Sequence, residues 1–156
     1  MINEMEQKSP ENGVVVKRFD ELVAAELYEI LRLRSAVFVV EQNCVYQDID
    51  ALDYAALHVF ITGEAPSVAA YARVYAKEGE AGTAKIGRVV SAQRGVGLGA
   101  AVLSAALDAA RSLGFMAAYI EAQEYAIGFY EKAGFAVTSG VFLEDGIPHV
   151  QMRRSL

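Results

Sequence analysis

Between an apolar extended run and a long alanine-rich stretch lies Gln93-Arg94-Gly95-Val96-Gly97-Leu98-Gly99-Ala100. Its placement constrains the chain more than any other feature. A strand, a glycine-dense turn and a helix start together leave backbone N–H groups facing outward. Glycine lets the backbone approach an anion closely, and the first helical amides have no partner inside the helix. A turn of this kind is a cradle for phosphate.

The flanking segments read as alternating strands and helices. Val14 to Arg18 suits a first strand, and Asp20 is positioned to cap a helix whose apolar face includes Leu22, Leu27, Ile30, Leu33 and Val37. Glu41 to Tyr54 is polar and acidic and reads as a long connection, a kind of segment that often carries function. Leu57–Ile61 and Val68–Tyr75 flank a turn at 63–67 and predict an antiparallel hairpin, with Thr83–Ser91 as the next strand. The helix expected over Gly97–Leu113 is closed by Gly114. Phe115–Ala122 is apolar enough to be a strand buried on both faces and paired in parallel, and Tyr125–Ala133 a short helix stopped by Gly134. Phe135–Thr138, Val141–Leu143 and His149–Arg153 complete a mixed α/β sheet with helices on both faces.

Composition narrows the function classes. The chain of 156 residues has one domain's worth of core, expected over 14–156, behind a polar tail over 1–13 that lacks the pattern of a signal peptide. No apolar run approaches the ~20 residues of a membrane span, so no membrane association and a cytoplasmic location are expected. A net charge of −6 opposes nucleic acid as a partner, because a phosphate-tracking surface needs a basic stripe. One cysteine, Cys44, and two histidines leave no internal disulfide and no zinc site; Cys44 reads as a buried thiol.

Two nucleotide readings compete for the glycine turn. Gly95-Val96-Gly97-Leu98-Gly99-Ala100 satisfies a dinucleotide fingerprint, and Glu121 stands where a ribose-binding acid belongs. Against it, three strands precede the motif, Ala92–Arg94 separates the strand from the first glycine, and 35 residues after Glu121 cannot complete a doubly wound sheet. A turn that merely joins strand to helix is the plain alternative, weakened by Arg94, whose cationic head suits a phosphate.

Further motifs decide between them. Arg94-x-x-Gly97-x-Gly99 resembles the Q/R-x-x-G-x-G/A motif of the GNAT superfamily of N-acetyltransferases, and Ala126-Ile127-Gly128-Phe129-Tyr130-Glu131-Lys132-Ala133-Gly134-Phe135 resembles its A-x-x-F-Y-E-K-x-G-F signature. The element order is similar from Val14 onward. Leu31–Gln42, Tyr46–Asp50 and Leu143–Val150 look like the ElaA-like subgroup.

The resemblance implies a mostly antiparallel sheet splayed in the middle, acetyl-CoA as donor and no metal. It implies that the pyrophosphate lies on Arg94, Gly95, Val96, Gly97, Leu98, Gly99 and Ala100, and the pantetheine arm along Val89 and Val90. One of those two amides would serve the oxyanion. Gln123 stands where many members carry an asparagine against the cofactor, and Lys132 belongs to the same set of cofactor contacts. Tyr130 would protonate the leaving thiolate. Glu41 and His149 are candidates for handling the acceptor amine, with Glu121 near the splay. Asp48, Asp50 and Asp53 form either a carboxylate pocket or a solvated loop. His58 reads as structural, and Arg34 and Arg73, charges in apolar segments, need partners; an acid of the 41–50 loop is expected for Arg34. The expected activity is acetyl transfer to a primary amine of a small molecule or peptide, the acidic loop hinting at a cationic acceptor. A CoA-binding module without turnover is the alternative, and a homodimer through sheet or helix edges is compatible with the fold.

Overall fold

The computed structural model describes residues 13–156; most of the tail expected over 1–13 lies outside the described residues. The strands are β1 (Val14–Arg18), β2 (Leu57–Thr62), β3 (Val68–Ala76), β4 (Thr83–Ser91), β5 (Ala117–Gln123), β6 (Ala136–Val137), β7 (Phe142–Glu144) and β8 (Ile147–Ser155). The helices are α1 (Ala24–Arg34), α2 (Leu98–Ser112) and α3 (Ile127–Lys132). The sheet runs β1-β2-β3-β4-β5-β8-β6, with β7 also on β8. Every pairing is antiparallel except β4 with β5.

Side-chain alternation gives the sheet two apolar faces. On one, Ala118, Ile120, Ala122, Val150 and Met152 pack under Val102, Leu103, Ala106 and Ala110 of α2. On the other, Ile30 of α1 seals Phe60, Tyr71 and Val90. The α1 layer reaches only the β1–β4 half, so over β5 and β8 the same face carries polar residues: Tyr119, Glu121 and Gln123 opposite Arg153, Gln151 and His149.

Two elements differ from the sequence expectation. Asp20 does not cap α1. It lies in a 3-10 turn, Phe19–Glu21, and α1 begins at Ala24, where the Glu26 carboxylate accepts the Val23 amide proton at 2.9 Å. The glutamate three residues into the helix thus satisfies the amide of the N-cap residue, which is the other half of a capping box; no side chain among the described residues caps the first-turn amides, the role expected of the aspartate. Beyond Arg34 the helix widens into a π-helical segment, Ser35–Glu41, which carries the chain to the middle of the sheet before the 41–55 connection begins. No helix among the described residues is long and apolar enough to cross a membrane.

Candidate active site

The site originates in β5's two neighbours. With β8 it pairs over its whole length, seven residues from Ala117 to Gln123; with β4 only Thr83, Ala84 and Lys85 find partners, after which the strands part. From Ile86 to Ser91 that edge of β4 has no strand beside it, and its backbone groups are left for another partner. Helix α2 starts just beyond this gap. Gly95 and Gly97 take φ of 79° and 81°, and a β-carbon at either would meet nothing within 4 Å, so the turn is open on its outer side. Ala101 is the first helical amide bonded within the turn, to the Gly97 carbonyl at 3.1 Å, leaving the N–H groups of Leu98, Gly99 and Ala100 to face outward. Gly99 lies against α3: a β-carbon there would sit 3.5 Å from the Phe129 ring, in ordinary van der Waals contact.

A cavity of about 580 Å³ fills the gap and is lined by both strands, the turn, α3 and the π-helical segment. Val89, Val90, Arg94, Gly95, Gly97, Leu98, Gly99, Ala100, Gln123, Tyr130, Lys132 and His149 all face it. Val96 does not; it stands at the tip of the turn, 54% exposed. Tyr130 packs edge-on against Phe129 and Phe135. Its hydroxyl makes no hydrogen bond among the described residues, and burial pushes the phenol well above the usual tyrosine range. The ring therefore offers the cavity a proton rather than a phenolate.

Glu41 is not brought together with Tyr130 and His149. Placed at the last turn of the π-helical segment, it is outside the cavity lining and forms an exposed ion pair with Arg94. Its neighbour Gln42 does reach the cavity, where its Oε1 accepts from Gln123 Nε2 at 3.2 Å. At the end of the π-helical segment Glu41 is thus directed to Arg94 of the glycine turn and Gln42 to Gln123 at the end of β5.

The acidic connection is likewise not a pocket for cations. Arg34, fully buried, donates to Asp53 Oδ1 at 2.7 Å and Asp48 Oδ2 at 3.1 Å. Arg73 grips Asp50 at 2.6 and 2.9 Å and Asp53 at 3.1 Å. Burial would raise the Asp50 carboxyl, yet Arg73 holds it at about 2. The partner expected for Arg34 is thus present, and the same pairing removes the negative charge that hinted at a cationic acceptor. His58 is structural as expected: Nδ1 lies 2.7 Å from the Tyr71 hydroxyl and Nε2 2.9 Å from the Asp53 carbonyl. Cys44 is buried, its thiol 3.7 Å from the Asp145 carbonyl.

Sequence reasoning missed Glu144. It lies on β7, 3.7 Å from His149 Nε2, while His149 Nδ1 is 2.7 Å from the Ile147 carbonyl and Phe142 stacks on the ring. Burial, and then the charge of Glu121, raise the Glu144 carboxyl. Glu121 itself accepts from Tyr119 at 2.8 Å and Lys85 at 3.2 Å. Burial opposes its ionisation, but these two donors outweigh that and lower it. So engaged, Glu121 is not free to hold a ribose, which removes the remaining support for a dinucleotide site. A hairpin bringing Glu144 back to His149 was readable from Glu144-Asp145-Gly146, but the coupling to β5 was not.

The model of the acetyltransferase (GNAT) domain matches residues 34–156. The chain belongs to the GNAT acetyltransferase family. Among its relatives, ElaA of Escherichia coli is 39% identical over 140 residues, 87% of this chain and 92% of that one. A protein of Schizosaccharomyces pombe is 38% identical over 149 residues, covering 91% and 96%. The crystal structure of E. coli ElaA superposes with a TM-score of 0.83 at 36% identity, over 90% of this chain and 97% of that one. An acyl-CoA N-acyltransferase from Pseudomonas aeruginosa gives 0.82 at 38% identity, over 90% and 98%. The subgroup resemblance read from Leu31–Gln42 and the C-terminal tail is therefore sound, and so is the splayed mixed sheet.

Proposed function

We propose that this GNAT protein transfers acetyl from acetyl-CoA directly to a primary amine, both substrates being held at once. The observation that carries the proposal is the gap between β4 and β5 beyond Lys85, opening beside the outward-facing amides of Leu98, Gly99 and Ala100. An unpaired strand edge suits an amide-bearing arm, and a helix start suits a pyrophosphate. The residues present fit this group: two glycines at positive φ with open space outside them, and Arg94 and Lys132 at the cavity. When bound, acetyl-CoA supplies an activated thioester.

The chain's own residues then do three things. Leu98, Gly99 and Ala100 hold the anionic end through N–H groups, with Arg94 exchanging Glu41 for phosphate. Val89 offers its backbone N–H to the developing oxyanion, the Val90 amide being turned toward β3. Tyr130, kept protonated by burial, gives its hydroxyl proton to the departing sulfur. His149, with one ring nitrogen fixed on the Ile147 carbonyl, presents the other toward Glu144 and the cavity as a group able to receive the amine's proton. The name of the P. aeruginosa relative, an acyl-CoA N-acyltransferase, supports the reaction class.

The test is release of free CoA from acetyl-CoA in the presence of a panel of primary amines. Turnover with at least one amine is expected, reduced about a hundredfold or more in kcat by Tyr130→Phe. Tight acetyl-CoA binding with no turnover on any amine would instead point to a CoA-binding module.

A further inference from the structure

One residue of β4 breaks the conformational rule of its strand. The β3–β4 register runs Tyr71↔Val90 and then Arg73↔Gly87, so Arg88 and Val89 together face the single residue Ala72. This is a β-bulge, and Arg88 occupies it with φ of 54°. Left-handed backbone at the first bulge position favours glycine, because a β-carbon there is strained. An arginine persists in it only where the surroundings hold it there.

They do so through the 41–55 connection. Arg88 Nε donates to Asp48 Oδ1 at 2.7 Å, and Nη2 reaches the Asp48 carbonyl at 3.1 Å and Asp50 Oδ2 at 3.3 Å. The Tyr46 ring lies 5.4 Å from the guanidinium, and its hydroxyl donates to Asp48 Oδ1 at 2.9 Å. The two aspartates cannot drift, for Asp48 is also bound by buried Arg34 and Asp50 by buried Arg73. The grip is thus anchored to α1 and to β3, the layers beneath.

We infer that Arg88 is a positioning residue: held by Asp48 and Asp50, it fixes the bulge and so sets the direction in which the Val89 amide faces the gap, while the next amide, Val90, is turned toward Tyr71 of β3. The bulge begins three residues beyond Lys85, the last β4 residue paired with β5. A bulge bends its strand and increases local twist, so the extra residue is what carries the free edge away from β5. The 41–55 connection then acts on donor binding through the backbone of β4, at a distance from the thioester. The inference rests on the acetyl-CoA reading for its binding readout only.

Two measurements test it on Arg88→Ala and Arg88→Lys: the acetyl-CoA dissociation constant by calorimetry, and hydrogen exchange at the Val89 and Val90 amides in the free protein. For Arg88→Ala, loss of the grip is expected to weaken acetyl-CoA binding about tenfold and to speed exchange at those two amides, with β8 unaffected. Arg88→Lys, which keeps one charged contact, is expected to recover part of both effects. Should Arg88→Ala not fold, the same two readouts on Arg88→Lys decide, with smaller changes in the same directions. Unchanged affinity and unchanged exchange in a folded variant would overturn the inference, even with a lowered melting temperature. If the wild-type protein itself fails to bind acetyl-CoA, the functional reading falls, and exchange at Val89 and Val90 still decides the role of Arg88.

Discussion

β4 and its turn into α2 face the cleft with backbone, whereas the 41–55 connection meets the sheet through three aspartates paired to three arginines. On the first side the working groups are N–H donors freed by a missing strand and a helix start, and side chains contribute mainly by being small. On the second, Arg34 and Asp53 are almost inaccessible to water, and each charge relies on its partner. The difference teaches where each kind of substitution should be felt. Backbone geometry on the cleft side governs binding and contributes little to stability. The charges behind it govern stability, and reach binding only through Arg88.

The largest expected effect falls on the charged side. Arg34→Ala removes the fully buried cation shared by Asp48 and Asp53, leaving Arg88 and Arg73 as their remaining partners, and a loss of about 3 kcal/mol of unfolding free energy is expected in a denaturant titration. A loss below about 1 kcal/mol would show that water reaches these carboxylates and would erase the contrast.

Acid should expose the same network. Asp50 and Asp53 are lowered in the folded protein, so their contribution is complete above the unfolded carboxylate range and disappears as pH falls through the folded values, about 2 for Asp50. His58 has the opposite charge type and is lowered by burial, so the unfolded chain takes up its proton first. Stability should therefore begin to fall below the ordinary histidine pKa of about 6.5 and fall further between roughly pH 4 and 2. Unfolding curves of His58→Gln collected across pH should lack the upper phase and keep the lower one.

Gly97→Asp addresses the cleft side. The β-carbon has room, but φ of 81° strains it and the carboxylate would sit where an anion is expected. Acetyl-CoA affinity should fall at least about tenfold while the melting temperature changes by only a few degrees. A variant that binds normally would separate the turn from the donor.

The smallest effect concerns the rim. Glu41→Gln frees Arg94 from an exposed ion pair, and a gain of roughly two- to threefold in acetyl-CoA affinity is expected at low salt, shrinking as ionic strength rises. A weakened affinity would instead place Glu41 among the groups that bind substrate.

The same contrast explains what could be read from sequence. The glycine turn, the strands from Leu57 to Ser91 and the helix bearing Phe129 and Tyr130 are local patterns, and they sit where their spacing put them. Partners of the charges are not local. Asp48 meets Arg34 across 14 residues and Arg88 across 40, so a run of acids that is neutralised looks in sequence like one that is not. The π-helical segment escaped for a related reason: nothing in Ser35–Glu41 distinguishes a wide turn from an ordinary helix, and Glu41, at its end, meets Arg94 and not Tyr130 or His149. The bulge at Arg88 was hidden because arginine is an unexpected occupant of left-handed backbone, and only the neighbouring carboxylates make it intelligible. Asp20 shows the reverse case, a good capping residue that lies inside the 3-10 turn Phe19–Glu21, four residues before α1 begins at Ala24.

The most direct test of the central claim is a titration of isotope-labelled protein with CoA, followed through its backbone amide resonances. The account predicts saturable shifts at Val89 and Val90 and from Gly97 to Ala100, with the β8 amides from Gln151 to Arg153 little changed. Saturation without movement of those β4 and turn amides would contradict it, because the donor would then be held somewhere other than the gap between β4 and β5.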